Sequence, residues 1–247
     1  MIEILQQYGQ AFLWSDGYRF TGVAVTMWLL VISLAVGFML ALPMSIARVS
    51  QKKALWMPVW VYTYVFRGTP LYVQLLVFYS GVYSLRWVRE VDFLNWFFRS
   101  GYLCTLLALT LNTCAYSLEI FAGAIRDLAH GEVEAARAYG FTGWRLYRHI
   151  ILPAALRRAL PAYSNEVILM LHATSLAFTA TVPDILKVAR AANAATYQPF
   201  YSFGLAALIY LLIALLVFLV PRIVPGDLPL GAALDRPFAQ IGRASCR

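Results

Sequence analysis

The sequence predicts an all-α integral membrane protein of about five transmembrane helices, and three observations predict it. Of its 247 residues 61% are hydrophobic and 13% charged, where a soluble domain carries about a quarter charged residues. Phe20 to Ala47 and Ala191 to Pro221 contain no Asp, Glu, Lys or Arg, and each exceeds the roughly 20 apolar residues that cross a bilayer as a helix. The apolar runs are continuous rather than alternating. Of the two backbone arrangements a bilayer tolerates, the helix therefore fits and the barrel does not.

The elements follow in chain order. The first span covers about 21–47 and the second about 55–82, interrupted at Arg67-Gly68-Thr69-Pro70. A Gly-Pro break is tolerated at membrane depth only where protein or a cavity surrounds the freed backbone groups, so this break is expected to face inward. The third span covers about 101–125, the fourth 159–183 and the fifth 200–221. Residues 1–221 form one transmembrane domain, with a cytoplasmic loop over 127–155. The tail 222–247 is atypical: it is rich in Pro and Gly, lacks helical periodicity and is expected to be poorly ordered.

Loop charge orients the chain. Thirteen of the 20 Lys and Arg fall on one side of the spans, six on the other, and Arg67 inside the second span. The richer side, with the loops after spans one and three and the tail, is read as cytoplasmic. The N-terminus is then periplasmic. The net charge of +8 belongs to those loops rather than to a nucleic-acid surface. Cys104 and Cys114 are ten residues apart on one span, about 15 Å, too far to bond, and Cys246 stands alone. The N-terminal stretch lacks the basic region and cleavage site of a signal peptide.

Residues 132–153, EVEAARAYGFTGWRLYRHIILP, are a basic interlude in this apolar chain. Glu132 and Glu134 suit a helix N-terminus. Ala135, Ala136 and Ala138 offer a low surface that a partner can approach, and Gly140 can take the left-handed conformation that ends a helix. A second short helix, about 143–151, leads back to the membrane. The pattern EAA-x3-G-x9-I-x-LP, carried by Glu134, Ala135, Ala136, Gly140, Ile150, Leu152 and Pro153, is that of the cytoplasmic loop of ABC-importer permeases, and the chain resembles them. FRGTPLYVQLLVFYSG (66–81), LTLNTCAYSLEIFAGAIR (109–126) and PAYSNEVILMLHATSLAFTATVPDIL (161–186) resemble the polar amino acid branch. The nearest resemblance is to permease subunits of importers for histidine, lysine, arginine and ornithine. It runs from residue 1 to about 219 and stops at the tail.

The resemblance implies a type I ABC-importer permease fold in the bacterial inner membrane. It implies that the loop docks on a cytoplasmic ATPase, present in two copies. It also implies a homologous second permease subunit and a periplasmic amino-acid-binding protein. ATP would be used by the ATPase; no cofactor is expected on this chain, which lacks the GxxxxGK[ST] phosphate loop.

Ionisable groups inside spans are functional candidates by default. Glu119 lies about six residues from the inner end of span three and Glu166 about seven from the inner start of span four, both roughly 10 Å deep. Two carboxylates at one depth suit a cationic substrate. Thr105, Asn112, Tyr116 and Glu119 form one polar stripe. Asn165 and His172 share a face of span four, with Glu166 about 100° around it. The substrate candidates are Glu166, Asn165, Glu119, Asn112, Thr69 and His172. Several have a structural alternative: Glu119 as a brace between helices, His172 as an interhelical hydrogen-bonding group, and Thr69, like Arg67, as a partner for carbonyls freed at the break. No catalytic constellation and no metal-ligand cluster is read. The competing functions are a same-family permease for another polar amino acid such as glutamine, a stand-alone secondary transporter, and a membrane enzyme.

Overall fold

A computed structural model describes residues 2–223, with side chains from 4 to 219. The helices are α1 (Ile2–Leu13), α2 (Gly22–Val49), α3 (Lys53–Gly68), α4 (Leu71–Leu76), α5 (Arg86–Glu90), α6 (Asp92–Arg99), α7 (Gly101–Arg126), α8 (His130–Ala138), α9 (Gly143–Leu146), α10 (Leu152–Ala173), α11 (Ile185–Thr196) and α12 (Pro199–Ile223). A π-helical stretch, Val77–Val82, extends α4; another, Tyr147–Ile151, joins α9 to α10; a 3₁₀ stretch, Thr174–Ala180, follows α10.

Three of the five expected spans are, among the described residues, single helices long and apolar enough to cross a membrane: α2, α7 and α12 up to Leu219. The second expected span is α3 and α4 with the break between them. The fourth differs from expectation. Its helix begins at Leu152, continuous with the short helix expected over 143–151, and gives way to 3₁₀ geometry at Thr174. Arg157, Arg158, Ser164, Asn165, Glu166 and His172 make α10 the most polar of these segments. α1 and α11 were not expected as helices. Pro183-Asp184 is the missed signal for α11: the Asp184 carboxylate accepts from the backbone N–H groups of Leu186 and Lys187, at 3.2 and 2.9 Å, as a helix N-cap does. The tail expected over 222–247 lies, beyond Ile223, outside the described residues.

Two apolar cores stack along the membrane normal. The inner one joins Ala41 of α2, Val59 of α3, Leu118, Phe121 and Ile125 of α7, Ala155 and Ala159 of α10, and Ala136, Leu146 and Ile151 of the cytoplasmic loop. The outer one joins Val25, Leu29 and Leu30 of α2, Leu75 of α4, Ala108 and Leu109 of α7, Met170 and Leu171 of α10, and Ala177 and Ala180 of the 3₁₀ stretch. α1, α11 and α12 pack separately through Ile4, Phe12, Ile185, Val188 and Leu205. Between the two stacked cores lie the groups that apolar packing excludes: the α3–α4 break, Asn112 and Thr113 on α7, Glu166 on α10. The polar site is the waist between two oil layers.

Candidate substrate site and coupling loop

Proline at position 70 cannot donate to the helix ladder, so the carbonyls before it lose partners. Gln74, one turn later and 7% exposed, supplies them. Its Nε2 donates to Phe66 O (2.8 Å), Thr69 O (3.0 Å) and Thr69 Oγ1 (2.8 Å). Asn112 Nδ2 reaches across from α7 to Phe66 O and to Gln74 Oε1, each at 3.4 Å. The expectation gave this task to Arg67 and Thr69; the Thr69 hydroxyl does donate to a carbonyl at the break, Val65 O at 2.8 Å, but Arg67 does not, among the described residues. Instead Arg67 lies exposed at the break, its guanidinium 5.1 Å from the centre of the Tyr116 ring, a cation–π distance. The missed signal for Gln74 was a lone amide in an apolar run, four residues after a helix-breaking proline.

The break opens on a cavity of about 570 Å³ whose walls include Arg67, Thr69, Asn112, Tyr116 and Glu166. Glu166 is 6% exposed. Its carboxylate accepts from Thr113 Oγ1 at 3.4 Å and makes no ion pair among the described residues. A buried carboxylate without a paired cation is costly, and this one faces a space of substrate size that it shares with Arg67. One turn inward along α10, Tyr163 packs against Phe38 and Phe121, ring centres 5.5–5.6 Å apart.

Glu119 is placed differently. Arg48 Nε donates to its Oε1 at 2.6 Å, with both side chains under a fifth exposed, and Thr63 Oγ1 donates at 3.2 Å. It ties α2, α3 and α7 together. It also lines a neighbouring cavity of about 590 Å³, which shares Arg67, Gly68, Thr69 and Tyr116 with the first. Of the six substrate candidates, Glu166, Asn112 and Thr69 meet in one cavity and Glu119 stands in the next, already paired. Asn165 and His172 are exposed and line neither. They share the outward face of α10 with Leu169, which does reach the first cavity.

In the cytoplasmic loop Gly140 has φ +84°, the left-handed conformation that was expected. The alanine surface is corrected in part: Ala136 is 7% exposed and belongs to the inner core, while Glu134, Ala135 and Ala138 remain outside with Tyr139 and Trp144. Ile150 and Leu152 pack on the same core. Arg158 donates to Glu132 Oε1 (2.8 Å) and Asp127 O (2.7 Å), clamping α8 to the start of α10. The loop therefore has an open outer surface and an inner surface continuous with α7 and α10.

Comparison with known proteins agrees with this arrangement. The family described as binding-protein-dependent transport system inner membrane component matches residues 33–226. Over 214 residues, 87% of this chain and 90% of the relative, the sequence is 68% identical to the histidine/lysine/arginine/ornithine transport system permease protein HisM of Escherichia coli (strain K12). It is 40% identical over 202 residues, 82% of this chain and 83% of the relative, to the nopaline transport system permease protein NocM of Agrobacterium fabrum. Among solved structures it is similar to a chain of an amino acid ABC transporter crystallised with histidines. There the TM-score is 0.73 and the identity 25%, over 89% of this chain and 93% of that one.

Proposed function

The chain belongs to the family of binding-protein-dependent transport system inner membrane components, and on that premise we propose that it moves histidine, lysine, arginine and ornithine across the membrane. It is an inner membrane permease subunit of an ABC importer. ATP hydrolysis belongs to a partner ATPase, and a binding protein brings substrate to the periplasmic face. In our reading two ATPase copies dock on the Glu134–Gly140 surface. A homologous second permease subunit covers the open face of α10, closing the cavity from the side where Asn165 and His172 stand. No cofactor acts on this chain.

One observation carries the cationic specificity. Glu166 is a buried carboxylate facing a cavity and makes no ion pair among the described residues, although Arg67 stands on the same cavity wall, whereas Glu119 has Arg48. An ammonium, guanidinium or imidazolium group of the substrate in that cavity supplies the direct ion-pair partner that Arg67, on the wall, does not. Asn112 and Thr69, held by the Gln74 network, shape the wall beside it. A permease for a neutral side chain such as glutamine has less use for a buried carboxylate without an ion-pair partner. A stand-alone transporter gives the docking surface no purpose.

The test is uptake of labelled arginine in proteoliposomes holding this chain, its ATPase, the second permease and the binding protein. In Glu166→Gln, uptake falls at least ~10-fold, the equivalent of about 1.4 kcal/mol of lost substrate interaction. Stimulated ATP hydrolysis continues. Uptake equal to wild type removes the carboxylate from the substrate path.

A further inference from the structure

α2 and α7 run side by side and approach closely at Gly37, where an added Cβ would stand 2.5 Å from Thr113 Cγ2. Toward the periplasmic end the pair encloses a third space, of about 620 Å³, unconnected with the polar waist. Its wall is hydrocarbon: Val25, Leu29 and Ile32 from α2, Leu103 and Leu106 from α7. From residue 25 to residue 32 the wall runs down about 10 Å of helix. The polar groups sit at the outer rim, on Ser15 and Arg19 of the α1–α2 loop and on Tyr102. Trp28 lines the space and is 66% exposed; Val31 beside it is 57% exposed. The space thus opens on the surface that α2 turns to the bilayer.

Water is a poor occupant, because a confined water needs two to four polar partners and apolar cavities stay dry. A cationic amino acid is worse, since the wall carries no counter-charge. Hydrocarbon matches the wall, and the adjoining lipid surface supplies it. At the rim, Arg19 Nε contacts Asp16 Oδ2 at 3.4 Å and makes no second ion pair among the described residues. Backbone N–H groups of Tyr18 and Arg19 donate to Asp16 and hold its carboxyl below the usual range, so both signs of charge are present. That pair suits a zwitterionic headgroup better than a purely anionic one.

We propose that this cavity between α2 and α7 is a phospholipid site, holding one acyl chain of an outer-leaflet lipid with its phosphate at Arg19. The chain fills the gap that the tight Gly37 crossing leaves further out, and so sets the spacing of the two spans at their periplasmic ends.

The experiment places photoreactive benzoylphenylalanine at Ile32, in the cavity wall, or at Leu211, 62% exposed on α12. The assembled transporter, in phosphatidylethanolamine nanodiscs, is exchanged into lipid-free detergent, illuminated and weighed intact. Illumination before exchange should give lipid adducts at both positions, which checks folding and probe chemistry. After exchange, the Ile32 probe should still carry a phospholipid adduct and the Leu211 probe only detergent. Adding Arg19→Gln should lower the retained adduct several-fold. Detergent adducts alone at Ile32 would reduce the site to ordinary boundary lipid and overturn the proposal. A cross-link from Ile32 to the second permease subunit would overturn it too, by showing a protein there. Retention indifferent to Arg19→Gln would refute the headgroup contact.

Discussion

Glu119 and Glu166 look alike in the sequence, two acidic residues at one depth in neighbouring spans, and their surroundings make them opposites. Glu119 is a brace. Removing one partner of a largely buried ion pair strands the other and costs about 3–5 kcal/mol. Glu119→Gln and Arg48→Gln are each expected to lower the thermal midpoint of the detergent-solubilised transporter. The double variant should recover part of the loss, because no lone charge remains. Uptake per folded molecule should change little in the double variant. Strictly additive losses would show that the two side chains do not interact. The polarity of both carboxylates was legible in the sequence. Which one was paired was not, since Arg48 is 71 residues away from Glu119 and only the packing of α2 on α7 brings them within 2.6 Å. The same holds for Gln74: the break at Thr69-Pro70 was legible, and its hydrogen-bond partner was not.

At the scale of the element, the cytoplasmic loop separates contact from transmission. Ala135 is exposed and Ala136 lies in the inner core with Leu118, Phe121 and Ile125 of α7. Ala135→Asp should leave the thermal midpoint unchanged and abolish the ATPase stimulation that the binding protein and substrate produce. Ala136→Leu overpacks the core, which costs typically 1–3 kcal/mol, and should lower the midpoint. Equal loss of stability in both variants would mean that Ala135 is not at a free surface. Helix boundaries around the loop were legible where local chemistry decides them, as at Gly140. The merging of α9, the π-helical stretch and α10 into one rod was not. Ile150, Leu152 and Pro153 read as a return to the membrane, and only the shared core shows that the return is continuous with the span.

For the molecule as a whole, orientation rests on the Lys and Arg asymmetry, and the fold offers two exposed reporters at opposite ends. Tyr18, in the α1–α2 loop, is 99% exposed and Tyr139, in the cytoplasmic loop, 86% exposed. In spheroplasts, a membrane-impermeant maleimide should label Tyr18→Cys directly and Tyr139→Cys only after permeabilisation. The reverse order would invert the topology and with it the side from which substrate enters. The stacking of two apolar cores around a polar waist is also a property of the whole. α2, α7 and α10 contribute to both cores, and α3 and α4 to one each on either side of the break.

Composition, the length of the uncharged runs, loop charge and the EAA pattern are properties of the chain read in order. They were enough to determine a helical inner membrane permease, and to predict its orientation and the segment we propose meets an ATPase. The physical reason is that the bilayer imposes its thickness and its lack of hydrogen-bond partners on any sequence, so local pattern reports global placement. The tertiary structure alone decided which ionisable groups are satisfied and which face open space. It alone set Gln74 as the clamp on the broken span, buried Ala136 and opened an apolar gap between α2 and α7. Those outcomes depend on distances between residues far apart in the chain, which no periodicity encodes.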